Sequence, residues 1–273
     1  MADWDEQLVD AAEEGDLRAL QKCLAAGADP NAQLVGDWRG SSLHQAAYHG
    51  HADCVAALLA AGANPNIRDA DGNAPLHEAA RNGCAACVAT LLAAAGAANA
   101  FNTVYYTPVH LAAYLNRVQA LRLLLAAHPG AALLRDLLGS TPLQLALQTA
   151  ALDAARCLLQ HGPVQPLGEL LDTIRWRAAQ KPLCYALVAT HQPLTAADLA
   201  LVPRPCPGLG AALPTALHRS ATEAALLVRH LPPVDQARLR TLALCLGRAQ
   251  QRGGLPPLPT PLVWRLLALS LAD

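Results

Sequence analysis

The stretch DADGNAPLHEAARNGCAACVATLLAAAG, from Asp69 to Gly96, contains one complete structural unit. Its dipeptide Asp71-Gly72 has the composition of a tight turn. Pro75 then stands where a helix begins, because a proline at the first helical position loses no intrahelical hydrogen bond. Asn82-Gly83 interrupts the helical pattern, and a second apolar run follows it. The stretch therefore predicts a turn followed by two short helices.

The same unit recurs at a fixed period along the first half of the chain. Its histidine stands at His44, His77 and His110, and Gln144 takes that place in the next copy. The steps between these positions are 33, 33 and 34 residues. Self-similarity at such a period indicates a repeat architecture, in which units stack because none can bury its apolar face alone.

The register of turn, proline, Leu-His, paired alanines and paired leucines resembles the ankyrin repeat. That family's pattern is G-x-T-P-L-H-x-A-A-x-x-G-H, followed by V-x-x-L-L-x-x-G-A-x-x-N. Five copies can be traced, at about residues 4–34, 35–67, 68–100, 101–134 and 135–163. The resemblance implies an all-α solenoid of helix-turn-helix repeats with β-hairpin-like loops. It also implies that the motif histidines hold neighbouring loops by hydrogen bonds.

The periodicity ends after Gly162-Pro163, and the rest of the chain has the pattern of helices broken by proline. Thr195 and Asp198 have the spacing of a capping box. The predicted helices cover residues 167–180, 181–190, 195–202, 217–230, 234–251 and 260–272. We therefore expect residues 1–163 to form an ankyrin-repeat domain and residues 164–273 to form a helical C-terminal domain.

The composition favours a soluble protein inside the cell. The chain is 53% hydrophobic but only 4% aromatic, and Ala and Leu supply the excess, which suits thin and closely stacked helices. No apolar run approaches the roughly 18 residues of a membrane-spanning helix. The acidic start, Met1 to Glu6, lacks the positive charge of a signal peptide. We expect a cytoplasmic protein, with the nucleus left open, and no membrane partner.

The charge changes sign along the chain. Residues 1–160 carry 9 Lys and Arg against 15 Asp and Glu, and the remaining residues carry 11 against 6. Such an asymmetry marks a change of domain and can steer two different partners. The basic residues of the second half are scattered among Leu and Ala rather than clustered, so we expect no nucleic acid partner.

No pattern in the chain predicts an enzyme, a metal site or a cofactor. The phosphate-binding, dinucleotide-binding, zinc-protease and nucleophile-elbow motifs are all missing from the sequence. Cys84 and Cys87 have Cys-x-x-Cys spacing, but no second pair follows at a zinc-binding distance and no βαβ context supports a redox role. The cysteines are expected to be small buried thiols. The motif histidines have the structural role that the family resemblance implies.

A protein-binding surface is the stronger interpretation. In ankyrin arrays the hairpin tips and the first helices of successive repeats line one concave face, and aromatic and arginine side chains there anchor protein interfaces. The aromatic residues that fall on these positions are Trp38, Tyr48, Phe101, Tyr105, Tyr106 and Tyr114. Beside them, at positions that the family exposes, stand Arg39, Arg68, Asp71, Glu78, Arg81 and Asn82. The alternative is a set of scattered, half-packed surface residues. The chain is thus interpreted as a scaffold or adaptor for a protein partner.

A second interpretation concerns the C-terminus. Pro257–Leu262 with Leu266 resembles the cullin-contacting part of a SOCS box, and Leu244-Cys245 resembles its elongin-binding Leu-Cys. Pro256 and Arg265 depart from that pattern. A degenerate box over residues 234–273 would make the protein a substrate adaptor of a cullin–elongin ubiquitin ligase. The alternative is a helical cap. A catalytic C-terminal domain is disfavoured because no polar cluster lies there.

Overall fold

A computed structural model describes residues 4–33, 40–163, 165–177, 181–206, 209–219, 221–237 and 239. The described residues fall into two compact units. One comprises the chain up to Ala146 together with Asp153–Val164, and the other comprises Leu147–Leu152 and the residues from Gln165 onward. The predicted SOCS-like box lies almost wholly outside the described residues, and so do the helices predicted at 260–272 and over most of 234–251. Trp38 and Arg39 lie outside them too.

The first half of the chain is a series of short helix pairs. The pairs are α1 Trp4–Glu14 and α2 Leu17–Ala25, α3 Ser42–His49 and α4 Ala52–Ala60, α5 Pro75–Asn82 and α6 Ala85–Ala93, α7 Pro108–Tyr114 and α8 Val118–Ala127, then α9 Pro142–Thr149 and α10 Leu152–His161. A 3₁₀ turn covers Pro129–Leu133. The described residues contain no strand, only an isolated bridge between Gln33 and Ser41. The predicted all-α solenoid class is confirmed.

The motif histidines stand in the first turn of the first helices and join each repeat to the next by a hydrogen bond. The backbone amide of Ala74 donates to His77 Nδ1 at 3.1 Å. Since Nδ1 accepts, Nε2 carries the ring proton, and it donates to the carbonyl oxygen of Tyr106 at 3.1 Å. His44 and His110 make the equivalent bonds to the carbonyls of Asn73 and Ser140, at 3.0 and 3.3 Å. The predicted structural role of these histidines is confirmed.

The core between the pairs is built from small and branched side chains. Ala79 and Ala80 of α5 are fully buried, as are Val88 and Leu91 of α6. Alanine leaves room for helices to approach closely, and leucine and valine fill the remaining space. First helices therefore stack directly, with α5 packed between α3 and α7.

The second unit is helical where it is described. Its helices are α11 Leu167–Arg177, α12 Lys181–His191, α13 Ala196–Ala200, α14 Leu213–Arg219 and α15 Ala221–Val228, with a 3₁₀ turn at Leu209–Ala212. The Thr195–Asp198 capping box is present, with the Thr195 amide 2.9 Å from Asp198 Oδ2. The single helix predicted at 217–230 is wrong in its start, because Pro214 is tolerated in the first turn of a helix that begins at Leu213. No described helix is both long and apolar enough to cross a membrane.

Candidate partner-binding surface

Three turns between the helix pairs share one backbone design. The turn at 69–73 closes with the Asp69 amide donating to the Asn73 carbonyl at 3.0 Å. The Asp69 carboxylate accepts from the Asn73 amide at 2.7 Å. The turns at 102–106 and 136–140 repeat both bonds, with side-chain distances of 2.8 and 2.7 Å. A side-chain oxygen at the first position and a backbone bond therefore define all three turns.

Each turn also requires a left-handed residue at its fourth position. Gly72 and Gly139 occupy that position with φ of 73° and 77°. Tyr105 occupies it in the middle turn with φ of 62°. A side chain in this region crowds its own backbone, at a cost of roughly 1–2 kcal/mol. Tyr105 thus keeps a strained conformation at a position where the other two turns carry glycine.

The last two turns present apolar side chains to solvent. We call them the tip surface, which comprises Phe101, Val104, Tyr105, Leu137 and Leu138, at 37%, 46%, 52%, 66% and 74% exposure. The rings of Phe101 and Tyr105 lie 5.7 Å apart. The Leu137 amide donates to the Val104 carbonyl at 3.4 Å, which joins the two turns. The tip surface is therefore continuous across two repeats.

Arginines stand at the base of two of these turns. Arg68 Nη1 donates to the carbonyls of Gly72, at 2.5 Å, and Phe101, at 2.8 Å. Arg135 Nη1 donates to the Gly139 carbonyl at 2.7 Å. Counted from the motif residue, Arg68, Phe101 and Arg135 hold the same repeat position. Both guanidinium groups are thereby held beside the turn tips.

A second set of side chains lines the ends of the first helices. We call it the helix row, which comprises Tyr48, Arg81 and Tyr114, each four residues after the motif residue. Both tyrosines are exposed, at 44% and 45%. Because α5 packs between α3 and α7, Arg81 stands between the two tyrosine-bearing helices.

The helix ends beside this row are tied together. Asn82 Nδ2 donates to the Tyr48 carbonyl at 2.9 Å. Arg117 Nε donates to the Arg81 carbonyl at 3.1 Å. These bonds satisfy carbonyl oxygens at the C-terminal end of a helix, which have no intrahelical hydrogen-bond donor. Asn82 therefore has a structural role in addition to its predicted exposure, and Arg117, which the sequence did not single out, has the same role.

Glu78 is the predicted site residue whose environment differs most from expectation. The family resemblance places it at an exposed position, and this is wrong, because its exposure is 2%. The same repeat position carries Leu111 and Leu145, both buried, in the following copies. Burial raises the pKa of the Glu78 carboxyl to about 7, against the opposing effect of Arg81, whose Nε lies 3.5 Å from Glu78 Oε2. The buried Glu78 carboxyl therefore contacts the Arg81 guanidinium and is not exposed to a partner.

Tyr106 is also more structural than predicted. It is half-buried, its ring stacks on that of His110 with centroids 5.8 Å apart, and its carbonyl accepts from His77. Burial raises the pKa of its hydroxyl. Asp71 and Arg68 are exposed as predicted. Sequence reasoning missed Val104, Leu137 and Leu138, which an alignment of the three turns would have placed at the tips.

No cluster of three or more His, Cys, Asp or Glu side chains occurs among the described residues that could hold a metal ion. Burial raises the pKa of the Cys87 and Cys184 thiols, which makes them poor nucleophiles. A pocket of about 360 Å³ is lined by Arg122, Leu125, Ala126 and His161 and contains no nucleophile–base pair.

Comparison with known proteins identifies the repeats. A family model for three copies of the ankyrin repeat matches residues 8–103, and a single-repeat model matches residues 105–136. Over 71 residues the chain is 38% identical to the 2-5A-dependent ribonuclease of Mus musculus. That match covers 26% of this chain and 10% of the ribonuclease, so the chain spans about a tenth of this relative's length.

Proposed function

Because residues 8–103 and 105–136 of the chain are ankyrin repeats, we propose that the protein is a non-enzymatic scaffold or adaptor. It binds a protein partner through the concave face and the turn tips of these repeats. The predicted site residues in the described regions belong to this surface, with Glu78 and Tyr106 in supporting positions.

The helix row is the observation that carries the proposal. Two exposed tyrosines, on α3 and α7, flank an arginine at the same repeat position on the intervening α5. Tyrosine and arginine are the residues most enriched where protein interfaces concentrate their binding energy. A regular row on stacked helices also differs from scattered surface residues, because one extended ligand can contact all of its members at once.

The test uses the full chain and a double variant that introduces the residue found at the equivalent position of another repeat. Gln148 stands at the same repeat position in the fifth copy, so Tyr48→Gln with Tyr114→Gln should leave the fold intact. Proteins captured from a cell extract are quantified by mass spectrometry for both forms. We expect at least one captured protein to fall about tenfold or more in the double variant, as for loss of interface anchors.

The control is Arg156→Gln on α10, which replaces an exposed side chain away from the helix row. Equal capture by all three forms would contradict the use of this face. The same measurement tests the ligase-adaptor alternative. Elongin and cullin captured by every form, together with a substrate lost from the double variant, would favour that role.

A further inference from the structure

We propose that the tip surface binds an acidic protein segment that carries bulky apolar side chains. The inference rests on the proposed function, because it names the chemistry of the partner at one part of the binding surface. It follows from three observations on the last two turns: their exposed apolar side chains, the strain at Tyr105 and the charge around them.

The apolar side chains have no packing role that would explain them. The turns are held by backbone atoms and by Asn102 and Asp136, so Val104, Leu137 and Leu138 can be exchanged without loss of a turn bond. At the equivalent tip positions the turn at 69–73 carries only Ala70 and Asp71. A contiguous exposed apolar patch is a site for another apolar surface.

Tyr105 supports the same conclusion. It occupies a left-handed position that glycine fills in the two neighbouring turns, and its ring is half-exposed against Phe101. Strain at a side chain that contributes little to the core is typical of a functional position.

The charge around the tips specifies the acidic character of the segment. The three turns and the residues at their bases, 68–73, 101–106 and 135–140, contain Arg68, Arg135 and three aspartates. Two of those aspartates, Asp69 and Asp136, are buried and accept hydrogen bonds from backbone amides of their own turns. Asp71 alone remains exposed, against exposed Arg68 and Arg135 at the turns. Guanidinium groups in fixed positions favour carboxylates, which they can bind with two parallel hydrogen bonds.

A protein segment fits these features better than a nucleic acid does. Three of the five tip side chains are aliphatic, whereas single-stranded nucleic acids stack their bases on aromatic rings. The arginines are also few and separated by apolar side chains, unlike a phosphate-tracking groove. A peptide whose aliphatic side chains are flanked by carboxylates would match both the aliphatic side chains of the tip surface and the arginines beside it.

The experiment selects ligands for the full chain from a phage-displayed library of random peptides of about 12 residues, an extended length of about 40 Å. Enriched peptides are synthesised with a fluorophore, and their affinity is measured at about 50 and about 300 mM NaCl, which spans a large change in screening. We expect peptides rich in Asp or Glu and in Leu, Phe or Trp, with affinity about tenfold weaker at the higher salt concentration.

The variants are chosen from residues that the other turns already carry. Val104→Asp and Leu138→Asp place the residue found at Asp71, and Tyr105→Gly places the residue found at Gly72 and Gly139. We expect each to weaken peptide binding about tenfold without lowering the melting temperature by more than a few degrees. The matched control is Val234→Asp, an exposed valine outside the tip surface, which should bind as the parent does.

The following results would overturn the proposal. They are enrichment of no peptide or of uncharged peptides, insensitivity to the tip variants, tighter tip-dependent binding of a poly(U) oligonucleotide or of anionic phosphatidylserine vesicles, and a doubling of mass that the tip variants abolish. The last would identify a second copy as the occupant. Peptide binding lost only in Tyr48→Gln with Tyr114→Gln would overturn the tip proposal and leave the proposed function standing.

Discussion

The turns at 69–73 and 102–106 have the same backbone and different surfaces. Both close with the same backbone bond and an Asx side chain, and both are held by the histidine of the preceding repeat. One carries Asp71 and Gly72 at its tip, and the other carries Val104 and Tyr105. The features that stabilise a turn in this protein are therefore separate from the features that it presents to solvent.

The largest expected effect concerns the histidines that hold both turns. Burial lowers the pKa of His77 and of His110 to about 4, and it lowers the pKa of His44. Between pH 6.5 and 4 the unfolded chain binds protons that the folded chain does not, so stability falls as the pH falls. Each shift of this size corresponds to about 3 kcal/mol.

Glu78 opposes this trend, because its raised pKa makes the folded state bind a proton between about pH 7 and 4.5. For His77, His110 and Glu78 together, urea unfolding at pH 7 and pH 4 should therefore show a net loss of about 3 kcal/mol, to which His44 adds. His77→Gln, which introduces the residue that Gln144 supplies in the fifth copy, should flatten this dependence, and Glu78→Gln should steepen it. An unchanged pH dependence in His77→Gln would show that the histidine is not its source.

A smaller effect is expected from the side chain that shapes the turn at 102–106. Asn102 Oδ1 accepts from the amides of Val104 and Tyr106, and Nδ2 donates to Asn73 Oδ1 at 2.9 Å. Asn102→Ala leaves these groups without partners and should cost about 2 to 3 kcal/mol in the free energy of unfolding. Asn102→Asp keeps the acceptor, as Asp69 and Asp136 do, and should cost about 1 kcal/mol. Equal losses in the two variants would contradict this account.

The smallest effect is expected from exchanging the residues in which the turns differ. Gly72→Ala should cost about 1 to 2 kcal/mol, because the residue is left-handed and its Cβ would lie 3.2 Å from the Thr103 amide nitrogen. Tyr105→Gly should gain less than about 1 kcal/mol, since relief of strain is partly offset by the entropy of glycine in the unfolded chain. Thermal unfolding of both variants measures these two opposite changes in stability. A loss of stability in Tyr105→Gly would show that the Tyr105 ring packs against the fold and would contradict this account.

The repeats were predictable because their turns and helix starts depend on residues close together in sequence, whereas the histidine bonds to the next repeat were implied by the family resemblance. The helix start at Pro75 and the amide of Ala74 on His77 involve a single turn of chain. The burial of Glu78 was not predicted from the family resemblance, since exposure at that position depends on the residues of neighbouring repeats. Leu111 and Leu145 at the same position were the available signal.

The tip surface was only partly predictable. Phe101 and Tyr105 stand out in the sequence as aromatic residues at a loop, whereas Val104, Leu137 and Leu138 stand out only as a departure from the usual turn composition. Their equivalence becomes clear when the turns are aligned by their hydrogen bonds rather than by residue type. Arg135 was missed for the same reason, because its role at the base of the turn matches that of Arg68.

Nε2 of each motif histidine donates to a backbone oxygen of the next repeat, and the Asx side chains accept bonds from backbone amides of their own turn. Neither bond depends on the identity of the side chain at the tip. A pool of variants randomised at Asp71, Val104 and Leu138 should therefore fold as one population while differing in what it binds. The architecture lets recognition diverge by substitution at the tips, with little demand on the residues that maintain the fold.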